Sequence, residues 1–142
     1  MKLANKEAVV SDATRLLSGI LLLSLVTVET GGLYLIRLVQ GAAPATPFQL
    51  GFARAGHAHA GVLLILSLTA LLYTDAAHLS APWDWLARLG VPVAALLMPA
   101  GFFAASTGEG RTSPSRFIAL VYFGGVALAA GLTSLGIGLL TA

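Results

Sequence analysis

The residues with the clearest capacity for chemistry are two histidines and a glutamate within the apolar stretches of this sequence. His57 and His59 lie in the segment FARAGHAHAGVL at residues 52–63, and Glu29 lies within the preceding apolar stretch. Imidazole nitrogens bind transition metals and exchange protons near neutral pH, and a carboxylate can carry a proton. Because ionisable groups are costly in lipid, each of the three is a functional-site candidate.

The composition places these residues in an integral membrane protein. Hydrophobic residues make up 57% of the chain and charged residues 10%, whereas soluble domains carry about 25% charged residues. The sequence has no cysteine, which excludes disulfides, thiolate metal sites and cysteine nucleophiles. We expect no serine hydrolase, because no nucleophile elbow is present, and no nucleic-acid partner, because no basic and aromatic surface is visible. The lipid bilayer is the expected partner, in the inner membrane of a prokaryote.

Four apolar stretches predict four transmembrane helices, over about 14–40, 51–74, 85–107 and 115–141. Each exceeds the ~20 residues that a helix needs to cross ~30 Å of hydrocarbon. Pro44 and Pro47 end the first stretch, and polar or glycine-rich segments at 75–84 and 108–114 separate the others. The predicted fold is all-α, a four-helix transmembrane bundle forming a single domain over 1–142. Both termini then lie on the A side of the membrane, and the first and third loops lie on the B side.

The helical rise places the candidate residues at similar depths. At ~1.5 Å per residue, Glu29 lies roughly 16 Å from the B side, His57 and His59 roughly 9 and 12 Å, and Met98 roughly 13 Å. Residues two apart on a helix point about 200° away from each other, so we expect the two histidines to face different neighbours. One regular helix therefore cannot bring both imidazoles to a single ion, and a dedicated zinc site is not expected.

Arg54 precedes His57 by three residues, and the segment from Phe52 to His59 resembles the second helix of the heme-copper oxidase superfamily. The likeness is to the catalytic subunits of nitric oxide reductases and cbb3-type oxidases, where an Arg-x-x-His-x-Asn segment opens that helix. The resemblance implies that His57 is an axial heme ligand and that Arg54 meets a heme propionate, with His59 at the asparagine position. It covers only the second apolar stretch. The family's other ligands lie on later helices that this sequence lacks, so no binuclear centre is implied.

The first functional hypothesis is a heme- or metal-binding membrane protein with an electron-transfer or heme-handling role. His57 supplies one axial ligand, and the second comes from Met98, from His59 or from His57 of a second copy. Histidine and methionine pairs are common in electron-transfer hemes. Gly124 and Gly125 would leave room for a flat macrocycle. A homodimer and a larger respiratory complex are the protein partners that this hypothesis includes.

The second hypothesis is a small homodimeric proton-coupled transporter or channel, in which Glu29 carries the proton. Pro92 and Pro99 interrupt the third helix, as expected of a helix that moves. Basic residues divide evenly between the membrane sides, which suits insertion in both orientations. The A side has Lys2, Lys6, Arg15 and Arg88, and the B side has Arg37, Arg54, Arg111 and Arg116. Structural roles also stay open: hydrogen-bonded packing for the histidines, core filling for Met98 and a neutral, hydrogen-bonded acid for Glu29. Whether the protein is an enzyme is left open.

Overall fold

The structure, a computed structural model, describes residues 10–142 and contains four long α-helices. All four are long and apolar enough to cross a membrane, and no strand occurs among the described residues. This confirms the predicted all-α, four-helix membrane fold. The helices are α1 at Asp12–Val39, α2 at Pro47–Ala77, α3 at Trp83–Ser106 and α4 at Ala119–Thr141, with a short 3-10 turn at Arg116–Ile118 before α4.

Local capping explains why α2 begins four residues before its predicted start. The side chain of Thr46 accepts a hydrogen bond from the backbone N–H of Gln49, and the side chain of Gln49 accepts one from the backbone N–H of Thr46. Pro47 occupies the first turn, where its missing N–H costs nothing. This capping box fixes the B-side end of the helix that carries both histidines.

α2, α3 and α4 form the core of the fold, and α1 packs onto that core mainly through α2. The closest approach is between α3 and α4, where Gly90 meets Gly131. A Cβ added to Gly90 would lie 2.5 Å from the Cα of Gly131 and 2.7 Å from the carbonyl oxygen of Ala127. Small residues of this kind let membrane helices pack backbone against backbone. α1 leaves most of its surface exposed, so the grooves beside it stay open.

At the A side, a buried ionic cluster joins the ends of three helices. Arg88, whose side chain is 7% exposed, lies 2.9 Å from the carboxylate of Asp75 on α2 and 2.9 Å from that of Asp84 on α3. Its guanidinium also donates to the hydroxyl of Thr14 on α1. The Ser11 hydroxyl donates to Asp75 at 2.8 Å. Arg88 lies near the A-side end of α3, and its side chain is buried inside the fold. Lys2 and Lys6 lie outside the described residues.

At the B side, hydrogen bonds from the start of α2 hold the loop between α3 and α4. The side-chain amide of Gln49 donates to the carbonyl oxygens of Ser106 and Gly108 at 3.0 and 2.7 Å. The hydroxyl of Thr46 donates to the carbonyl oxygen of Arg111. The two B-side loops are thus tied together beneath the layer that contains His57 and His59.

Candidate functional site

His57 faces α1, where two consecutive glycines make space for its ring. A Cβ added to Gly32 would lie 3.2 Å from Cε1 and 3.5 Å from Nε2 of His57, and one added to Gly31 would lie 3.8 Å from Nδ1. The polar edge of the half-buried imidazole therefore lies against the glycine pair. Neither ring nitrogen forms a hydrogen bond with the part of the chain that the structure describes. We call this arrangement the glycine notch.

His59 faces away from α1, as its spacing from His57 predicts. Its Nδ1 lies 2.8 Å from the carbonyl oxygen of Ala55, one turn earlier on α2. A carbonyl oxygen only accepts hydrogen bonds, so Nδ1 is the donor, and in the neutral ring Nε2 then has the lone pair. The ring lies 4.9 Å from that of Phe102 on α3. His59 is thus held in the tautomer in which Nε2 can bind a metal.

Aromatic side chains extend from His59 toward the B side. Phe102 makes an edge-to-face contact with Phe52, with the ring centroids 5.5 Å apart, and Phe52 lies 4.2 Å from Phe48. These three phenylalanines and His59 form a row of rings, the aromatic row, along α2 and α3. Such a row offers flat apolar surface beside the free nitrogen of His59.

Met98 points toward α4, whereas His57 points toward α1. A Cβ added to Gly124 would lie 2.5 Å from Cγ of Met98, so the methionine side chain fills the space at this glycine. Gly125 has nothing within 4 Å of an added Cβ. The structure therefore does not bring Met98 and His57 together as an axial pair. Its packing against Gly124 agrees with the core-filling interpretation of Met98.

Arg54 is exposed, three residues before His57, and lies one turn closer to the B-side surface on a similar face of α2. A position of this kind lets a guanidinium reach the headgroup layer. Among residues 10–142, no group of three or more histidine, aspartate or glutamate side chains could hold a metal ion. A metal bound here would therefore depend on one histidine and on ligands from elsewhere.

Two cavities border His57. The first, of about 470 Å³, lies between α1, α2 and α3, and its lining includes Ser24 and Thr27 among mainly apolar residues. The second, of about 770 Å³, runs along α1 and includes Glu29. Glu29 is ten residues before the end of α1 and His57 ten residues after the start of α2, so both lie about 15 Å from their B-side helix ends. His57 is deeper than the roughly 9 Å predicted, because α2 begins at Pro47, and one groove contains both side chains.

The residues that sequence reasoning missed are those of the A-side cluster. The sequence predicts Asp75 in a polar loop and Arg88 as one of four A-side cations, whereas Asp75 lies in α2 and forms an ion pair with Arg88. The spacing of Asp84 and Arg88, four residues apart on one helix, was the available signal for a pair. Nothing in the sequence indicated that Asp75 and Thr14 would join them.

A scan against protein-family models and searches of curated proteins and of solved structures each give no match for this chain. The resemblance to the heme-copper oxidase superfamily therefore depends on the segment around His57 alone. The candidate site lies in the part of the bundle at the depth of His57, His59 and Glu29, which we call the histidine layer.

Proposed function

We propose that this protein binds heme through a histidine of α2 and serves in electron transfer or heme handling in the membrane. The observation that carries the proposal is the hydrogen bond between Nδ1 of His59 and the carbonyl oxygen of Ala55, at 2.8 Å. Metal-bound histidines almost always donate their other ring N–H to a carbonyl or carboxylate, which fixes the tautomer and orients the ring. His59 has a hydrogen bond of this kind.

The two histidines differ in how well they fit a heme. Nε2 of His57 lies 3.5 Å from the position of a Cβ on Gly32, so a macrocycle at this nitrogen requires α1 to move away. Nε2 of His59 forms no hydrogen bond with residues 10–142, and its ring borders the aromatic row. We therefore assign iron ligation to His59 first, although the family resemblance points to His57.

Other residues of this chain suit the remaining parts of a heme. Phe102 and Phe52 would present apolar rings to a flat macrocycle at His59. Arg54 lies on the His57 face of α2, so its guanidinium would suit a propionate only if His57 were the ligand. When bound, heme supplies one-electron chemistry, and its axial ligands and surroundings set the potential. Because Met98 packs against α4, a second axial ligand would come from another copy of the chain or from a partner.

The test is the absorption spectrum of the purified protein, oxidised and reduced, after expression with a heme precursor. We expect a Soret band with reduced α and β bands, lost in His59→Ala. The bands should be kept in His57→Ala and in His78→Asn, a matched control at an exposed residue with φ 48°, where asparagine is well tolerated. If the bands are lost in His57→Ala and kept in His59→Ala, the iron ligand is His57, as the resemblance implies. Folded protein without heme bands would reject the proposal.

A further inference from the structure

Glu29 has no role in the heme proposal, yet it is a carboxylate deep within a spanning helix. It lies about 5 Å from the midpoint of α1. Its side chain is exposed on the helix surface, and it is in none of the salt bridges formed within residues 10–142. The other described acids are paired or lie in a loop: Asp12 pairs with Arg15, Asp75 and Asp84 pair with Arg88, and Glu109 lies between α3 and α4. Glu29 therefore differs from every other described acid.

The groove around Glu29 is mainly apolar, with the imidazole of His57 and the amide of Gln40 as its other polar side chains. Glu29 and His57 line the groove of about 770 Å³ along α1, whose other walls are mainly Leu25, Val28, Leu33, Leu35, Ile36 and Val39. Gly32, which contacts the imidazole, is three residues after Glu29, so the Cβ positions of residues 29 and 32 are about 5–6 Å apart. The carboxylate and the imidazole thus face one groove without a hydrogen bond between them.

We propose that this groove, the Glu29 groove, binds an amphiphilic ammonium cation, that is, an apolar chain carrying an amine with N–H groups. The positive charge neutralises the carboxylate of Glu29 where water is scarce and Coulomb attraction is strong. A second N–H donates to a ring nitrogen of His57, which otherwise lacks a partner in the described chain. The apolar chain lies along the leucine, isoleucine and valine side chains of α1.

This inference is independent of heme binding at His59, which lies on the other side of α2. It names a ligand class for the carboxylate on which the transporter hypothesis depends. Because the groove opens on the exposed surface of α1, the ligand would enter sideways from the bilayer. A second copy of the chain is the other possible occupant, and the experiment separates the two.

The experiment is calorimetric titration of the whole protein in non-ionic micelles with three probes that share a twelve-carbon chain. Dodecylammonium has a charge and N–H donors, dodecyltrimethylammonium has only the charge, and dodecanol has neither. We expect dodecylammonium to bind saturably and about ten- to a hundred-fold more tightly than dodecanol, as a charge-assisted hydrogen bond in a shielded site would give. Dodecyltrimethylammonium should fall between the two. Wild-type protein that does not distinguish the cations from dodecanol would overturn the proposal without any variant.

Variants then assign the binding to the groove. Glu29→Gln should abolish the preference for cations, whereas Glu109→Gln, a loop control, should keep it. His57→Ala should reduce the difference between the two ammonium probes, because the N–H donated to His57 loses its acceptor while the one donated to Glu29 remains. Both probes should keep their preference over dodecanol. A preference that survives Glu29→Gln would place the site elsewhere and reject the proposal. A second result would also reject it. If light scattering shows that wild-type protein is a dimer and Glu29→Gln a monomer, and the titration shows no preference for cations, a second copy of the chain covers the carboxylate.

Discussion

The A-side cluster and the histidine layer both place polar groups on apolar membrane-spanning helices, but they satisfy those groups very differently. In the cluster, Arg88 contacts two carboxylates and two hydroxyls, and it joins the ends of α1, α2 and α3. In the histidine layer, the imidazole of His57 and the carboxylate of Glu29 have no hydrogen-bonded partner among residues 10–142.

This difference separates a polar network that stabilises a fold from polar groups that are available to a ligand. A buried charge that loses its partner is strongly destabilising, so a fully paired cluster holds its helices in one arrangement. Groups without partners contribute little to holding α1 in place. They border open grooves instead, and this suits a site that takes up molecules from the membrane.

Removing Arg88 should give the largest loss of stability. A small loss would contradict the view that the A-side cluster stabilises the fold. Arg88→Met keeps an apolar stem of similar length but leaves Asp75 and Asp84 without their cation, so we expect a loss of about 3–5 kcal/mol in the free energy of unfolding. Titration of the micelle-bound protein with a denaturing detergent measures it. Arg15→Met is the control, because Arg15 is 67% exposed in its pair with Asp12, and such pairs contribute about 0–1 kcal/mol. Equal stabilities of the two variants would show that the cluster does not hold the helix ends.

A medium effect is expected at the close contact between α3 and α4. Gly90→Ala introduces a methyl group 2.5 Å from the Cα of Gly131, and backbone cannot rotate away as a side chain can. The helices must separate, at a cost of about 1–3 kcal/mol for overpacking. Gly136→Ala on α4 is the matched control, since nothing lies within 4 Å of its added Cβ. The same midpoint of thermal unfolding for both variants would show that α3 and α4 can separate at Gly90 without a loss of stability.

Much of the fold follows from local sequence, whereas the partners within it do not. Apolar runs longer than a membrane crossing, ended by prolines such as Pro44 and Pro47, are sufficient to predict four helices. The divergence of His57 and His59 follows from the 100° turn per residue. The direction of Met98 depends on how α3 is rotated against α4, and that is set by contacts such as the one at Gly124. No local pattern contains this information.

The same limit applies to both polar regions. Thr14 and Arg88 are 74 residues apart in sequence, and only the register between α1 and α3 brings them together. The glycine notch likewise depends on how far α1 slides along α2. Glu29 was predictable as a candidate site residue because its depth follows from helical rise. Its sharing of a groove with His57 was not, because that depends on helix pairing.

The glycine notch gives the smallest expected effect and the sharpest test of how loosely the histidine layer is held. Gly32→Ala places a methyl group 3.2 Å from Cε1 of His57, and the imidazole can rotate toward either groove at about 0.5–1.5 kcal/mol. The gain in helix propensity, up to about 1 kcal/mol, offsets this cost, so the net change in unfolding free energy should be close to zero. In a His57→Ala background the same substitution should become stabilising. Gly19→Ala, also on α1 and with open space around its Cβ, should give equal changes in both backgrounds.

A coupling near zero between Gly32→Ala and His57→Ala would show that the imidazole does not occupy the notch. The heme bands of Gly32→Ala add to this test. If the two substitutions are coupled and the bands persist, His59 is favoured as the ligand, because its ring lies on the other side of α2. If they are not coupled, the bands should persist with either histidine as the ligand.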